Sequence, residues 1–171
     1  MISLRLVRLI ETEAANLSDS LLKKFYSSAH TQGFRKIPEH ELRERCLEIY
    51  SHLSDWLLHK SSADVEHRFQ SIGELRARQG VPLGDVIWGI LLTKEHLWSF
   101  LERQGFLMGP VELHGELELL RLMDHFFDRG VYSTTVGYER SRTLPRVTST
   151  SDEGRRRGEA RPSPGIPSAL L

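Results

Sequence analysis

Leu83-Gly-Asp-Val-Ile-Trp-Gly-Ile-Leu-Leu-Thr-Lys-Glu-His-Leu-Trp-Ser-Phe-Leu-Glu-Arg-Gln104 is the most apolar stretch of the chain and reads as one helix. Val86, Ile87, Ile90, Leu91, Leu97, Trp98 and Leu101 recur at helical spacing and cover two adjacent faces. A stripe that wide predicts a central helix with neighbours on more than one side. Pro82 suits its first turn. Lys94, Glu95 and His96 interrupt it, so it is no membrane span.

The segments on either side have the same period. Upstream, Val65, Phe69, Ile72 and Leu75 predict a helix over about 63–79, with Ser61 or Ser62 as its cap. Gly80 is placed to end that helix from the left-handed region. A helix over about 38–60 precedes it, with Pro38 at its start and Glu39 and Glu41 in an acidic first turn that suits the dipole. The first helix is expected over about 3–29, with Leu6, Ile10, Ala14, Leu17, Leu21 and Phe25 in one stripe. Downstream, Gly105, Gly109 and Pro110 make a break. A long fifth helix then runs to about Arg140, with Leu113, Leu117, Leu120, Met123, Phe127 and Val131 inward. No segment alternates as a strand does. The expectation is an all-α bundle of about five helices over residues 1–141.

From Arg142 onward the period is lost. Pro145, Gly154, Arg155-Arg156-Arg157, Pro162, Pro164 and Pro167 belong to a composition that cannot offset the entropy of ordering, so 142–171 is read as a disordered tail. That tail carries six Arg and three acids, leaving 17 bases and 20 acids in the body. A slightly acidic body does not suit nucleic acid as a partner. The N-terminus lacks the apolar core of a signal peptide, because Arg5, Arg8, Glu11 and Glu13 punctuate it. A cytoplasmic protein, with no membrane partner, is expected. Cys46 is the one cysteine, which rules out an internal disulfide and a cysteine-based zinc site.

The chain has no Gly-x-Ser-x-Gly, no Cys/His signature and no phosphate-binding glycine loop, so no catalytic residues are assigned and no enzyme is expected. Eight histidines raise the question of metal or haem. None is four from another, and no Glu-x-x-His pair of the di-iron kind occurs. His96 and His125 sit on apolar helices, as an axial haem ligand would, but satisfied or surface histidines are the plainer reading. No cofactor and no metal are expected. Gly80-Val81-Pro82-Leu83 resembles the turn of a helix-turn-helix, yet the helix after it offers Trp88, Ile90, Leu91 and Trp98 where a DNA groove needs polar and basic groups. Trp88, Trp98 and Tyr138 are candidates to line a ligand pocket, although aromatics at helical spacing are usually core.

The run Phe69-Gln-Ser-Ile-Gly-Glu-Leu-Arg-Ala-Arg-Gln-Gly-Val-Pro-Leu83, then Trp98-Ser-Phe-Leu101, then Phe126-Phe-Asp-Arg-Gly-Val-Tyr132 and Gly137-Tyr-Glu-Arg140, resembles the RsbRD-type (RsbT co-antagonist) N-terminal sensory domain. The likeness covers roughly residues 5 to 141. It implies a helical sensory or interaction module of stress signalling, globin-like, haem-free and dimeric, set ahead of an output domain. After Arg142 only the low-complexity stretch follows. The module is therefore expected to stand free or to act through a signalling partner.

Two functions follow from these readings. One is a non-catalytic signal-transduction module acting as a homodimer or through a partner. The other is a haem- or small-ligand-binding globin-like sensor using His96 or His125. For the dimer, Leu6, Ile10, Leu17 and Leu21 make a near-heptad seam on the first helix. At about 1.5 Å per residue that helix would overhang the body and leave its first turns uncovered.

Overall fold

The computed structural model describes residues 4–104 and 110–143. Every element among them is helical. They are α1 (Leu4–Thr12), α2 (Ala14–Ser27), a 3-10 segment (Ala29–Lys36), α3 (Glu39–Ser51), a π turn (Asp55–His59), α4 (Ser62–Arg78), α5 (Leu83–Arg103) and α6 (Pro110–Thr143). The all-α class agrees with the sequence reading. The tail beyond Thr143 lies outside the described residues, and residues 142 and 143 belong to α6.

The start and end of α4 follow local chemistry. Ser61 and Asp64 form a reciprocal capping box, each side chain accepting the other's backbone N–H, at 3.2 and 2.9 Å. At the other end Gly80 takes φ +69. Val81 N–H reaches Arg76 O and Gly80 N–H reaches Ala77 O, both at 3.1 Å, which is the Schellman pattern. Pro38 and Pro82 stand one residue before their helices rather than inside them, each with extended ψ.

Two helices expected to be continuous are broken. The first divides at Glu13 (φ −90, ψ 8). Thr12 Oγ1 donates back to Arg8 O at 2.8 Å, a bond that bends helices. The second stops at His52 (φ −123, ψ 29) and resumes as the π turn, in which Lys60 N–H bonds Asp55 O at 2.8 Å. A side chain far away in sequence holds this break. Glu11 Oε1 accepts both Ser54 N–H and Ser54 Oγ–H, at 2.8 and 2.6 Å. The 3-10 segment over residues expected to be a simple break is clamped to the turn before α5. Gly33 N–H donates to Asp85 Oδ2 at 2.7 Å and Lys36 Nζ to Gly80 O at 3.0 Å.

The closest helix pair is α4 with α6. A Cβ on Gly73 would meet Thr134 O at 2.1 Å, and one on Gly137 would meet Gln70 O at 2.1 Å. The backbones therefore touch, and Thr134 Oγ1 donates to Phe69 O across the crossing at 3.3 Å. The α5 helix packs on α6, α2, α4 and the 3-10 segment, as its wide stripe requires.

The seam on the first helix corrects an expectation. Leu6, Ile10, Leu17 and Leu21 are all buried within the chain's own core, with Val7, Ala14 and Phe25. From Leu6 onward the stripe does not overhang, because α1 and α2 lie along α3 and the bend at Glu13 keeps them on the body, while the side chain of Leu4 lies outside the described residues. A second correction concerns Leu117, expected inward on α6 and found exposed. Leu120, Met123 and Phe127 are buried as expected, and the side chain of Leu113 lies outside the described residues.

Candidate functional site

The one imidazole buried in the core is His96, on the inner face of α5. Tyr50 of α3 lies on one side with its hydroxyl 3.4 Å from Nδ1, and Ser20 of α2 lies on the other with Oγ 2.6 Å from Nε2. Ser20 Oγ–H donates to Leu17 O at 3.3 Å, so its oxygen accepts from Nε2–H, and Nδ1 in turn accepts from the Tyr50 hydroxyl. Burial raises the Tyr50 phenol well above its ordinary value. Burial, assisted by Lys24 and Arg103, pushes the imidazole pKa down to about 4. The ring is a neutral member of a satisfied relay joining three helices. Both nitrogens have protein partners, so neither is turned toward a space where an iron could sit.

His125 is exposed on α6, with Nε2 accepting from Arg129 Nε at 3.0 Å. Cys46 lines a small apolar cavity with Phe25, Phe34, Leu42 and Phe69. Burial pushes its thiol up to about 12, against the lesser pull of the Arg76 guanidinium, so no thiolate forms near neutrality. The cavity measures about 80 Å3. That is far below the roughly 300–1,000 Å3 of sites for drug-sized ligands. Next to it Arg76 is buried and bonded by Nη1 to Glu41 Oε1 at 2.5 Å and Gln79 Oε1 at 2.6 Å. This pair ties the start of α3 to the end of α4.

The three aromatics expected around a pocket are not brought together. Trp88 is exposed, its ring 4.8 Å from that of His30. Tyr138 is buried, and its hydroxyl donates to Val81 O at 2.8 Å. Trp98 is partly buried against the core. Periodicity found apolar faces here but not which faces meet.

Helical spacing does define one outward strip. Lys94 Nζ on α5 pairs with Asp124 and Asp128 on α6, at 3.0 and 3.2 Å. Tyr132 stands one turn beyond Asp128, and Leu91 and Trp88 stand one and two turns before Lys94. The ion pair joins α5 to α6 at this level of the two helices. The sequence signal for this strip was the width of the α5 stripe, read as a central helix with neighbours on more than one side. The clamp between Lys94 and the two aspartates carried no local signal. Among the described residues no group of histidine, cysteine and acidic side chains could hold a metal, and no helix is long and apolar enough to cross a membrane.

A family model described as the RsbT co-antagonist protein rsbRD N-terminal domain matches residues 18–147. No curated protein and no solved structure gives a match. The matched span starts within α2 and includes the α4–α6 crossing, the turn at Gly80 and the whole of α5.

Proposed function

Because the chain belongs to the family of RsbT co-antagonist rsbRD N-terminal domains, and so is a signalling-associated module, we propose that it works without chemistry of its own, by protein contact, as a homodimer closed through the outward strip of α5 and α6. One observation carries this reading. The large apolar side chains left exposed among the described residues are Trp88 (41%), Leu91 (40%), Leu117 (56%) and Tyr132 (71%), all on those two helices. Large apolar side chains left exposed together on one pair of helices support an interaction surface there. The strip also carries Lys94 beside Asp124 and Asp128, so both signs are present side by side. A surface of that kind can meet its own copy about a two-fold axis, the commonest closed assembly. The contact is thus assigned to α5 and α6, in place of the buried stripe on α1 and α2. A cytoplasmic setting goes with this reading, supported by a single buried thiol.

Sedimentation of the wild type at tens of micromolar, beside a Leu91→Glu, Tyr132→Glu double variant, tests the proposal. The wild type is expected to run as a dimer and the variant as a folded monomer. A monomeric wild type, or a variant that stays dimeric, overturns it.

A further inference from the structure

A cleft on the neighbouring face of α6 combines an apolar floor with a basic rim. It lies between the π turn, the first turns of α4 and the middle of α6, and has a volume of about 200 Å3. Its floor is apolar. Phe126 and Val65 are buried there, and the half-buried Trp56 ring stands 6.3 Å from that of Phe126. Its rim is basic, with Lys60, His125 and Arg129, and no acid is among the residues that line it.

The charges are arranged rather than incidental. The acids next in sequence to His125 and Arg129 on α6, Asp124 and Asp128, are engaged by Lys94. Arg129 is held from two directions. Nε–H donates to His125 Nε2 at 3.0 Å, and Nη1 reaches Glu66 Oε1 at 3.2 Å, outside the lining. Since His125 Nε2 accepts, its proton is on Nδ1, which keeps a donor on that ring. The i-to-i+5 bond of the π turn gives the chain one extra residue at this point and brings Trp56 and Lys60 to the same wall. Such turns recur at functional sites.

Water alone fits this cleft poorly, because half its wall offers no hydrogen bond. An occupant with a flat apolar body on Phe126, Val65 and Trp56 and a negative group at Lys60 and Arg129 satisfies both halves. The cleft is smaller than the roughly 300–1,000 Å3 of drug-sized sites, which limits that body to a single ring. A carboxylate matches Arg129 Nη2, which neither of those bonds uses, together with the Lys60 ammonium. We propose that this cleft is a binding site for a small aromatic carboxylate, which makes the domain a ligand-responsive module. The site stands whether or not the domain dimerises.

The test is an NMR titration of the full chain with benzoate, and separately with acetate and with benzyl alcohol, each to about 50 mM, since fragments of this size bind in the millimolar range. Benzoate is expected to shift amides within 56–65 and 122–129, and to bind at least roughly tenfold tighter than acetate, which lacks the buried ring, and than benzyl alcohol, which lacks the charge-assisted hydrogen bond. Arg129→Gln should lose roughly tenfold in benzoate affinity, and Lys60→Gln should weaken it and reduce its salt dependence. No shifts in those segments, benzyl alcohol binding as tightly as benzoate, or a folded Arg129→Gln binding as the wild type does, each overturns the site. If Arg129→Gln fails to fold, the exposed Lys60→Gln decides in its place. Unchanged benzoate affinity and salt dependence in that variant count against the proposal.

Discussion

Gly73 of α4 lies against the main chain of Thr134 in α6, so close that a Cβ at position 73 would stand 2.1 Å from the Thr134 carbonyl oxygen. The obstacle is helix backbone, which cannot swing aside as a side-chain tip can. Gly73→Ala gains less than about 1 kcal/mol in helix propensity. Separating the two helices is expected to cost about 3 kcal/mol or more, the upper end for overpacked cores. Urea melts of the variant and wild type give the difference directly, and a loss below about 1 kcal/mol contradicts the crossing.

Gly84 has the opposite setting. It lies in the first turn of α5, and a Cβ there would meet nothing within 4 Å. Gly84→Ala is expected to stabilise by about 0.5–1 kcal/mol. Gly80 also has open space around it, but its φ of +69 makes Gly80→Ala a loss of about 1–2 kcal/mol. The same melts measure both.

The buried imidazole gives a pH dependence with a definite sign. His96 titrates at its ordinary 6.5 when unfolded and at about 4 when folded. Between those values the unfolded chain binds a proton that the folded one does not. The contribution is therefore complete above pH 6.5 and is lost as pH falls toward 4, by about 3 kcal/mol at most. Asp19 and Asp64 have lowered values from their bonds with Arg43 and Ser61, and add their loss at lower pH. Stability measured from pH 7 to 4 should fall less steeply in His96→Gln than in the wild type. Parallel curves would exclude the imidazole as the cause.

The stripe on α1 and α2 is core. Ile10 is fully buried, so Ile10→Ala is expected to cost about 2–5 kcal/mol. A Leu6→Glu, Ile10→Glu double variant should unfold rather than dissociate. Circular dichroism alongside sedimentation separates those outcomes, and a folded, soluble double variant would show the stripe to be exposed.

Much of this was legible from local chemistry. The capping box at Ser61 and the glycine at position 80 mark α4 to within a residue or so at each end, because the hydrogen bonds that end a helix come from neighbours in sequence. The breaks at Glu13 and His52 were not legible. One turns on a hydroxyl rotamer at Thr12, and the other on a carboxylate 43 residues away, at Glu11. The aromatic cleft was missed in the same way. Trp56 is on an element whose extra residue shows only in the backbone, and Arg129 comes from a helix 73 residues further along the sequence.

By itself the sequence determined the helical class, the ends of α4, the family and the identity of the apolar stripes, since each depends on spacing along one helix. Only the tertiary structure decided what covers each stripe. Leu6 and Ile10 have the same period as Leu91 and Trp88, yet the first pair is buried and the second exposed. A stripe states that apolar surface exists. Whether a neighbouring helix reaches it depends on backbone approach elsewhere, and here that approach is permitted by Gly73 and Gly137, where α4 and α6 touch without side chains between them.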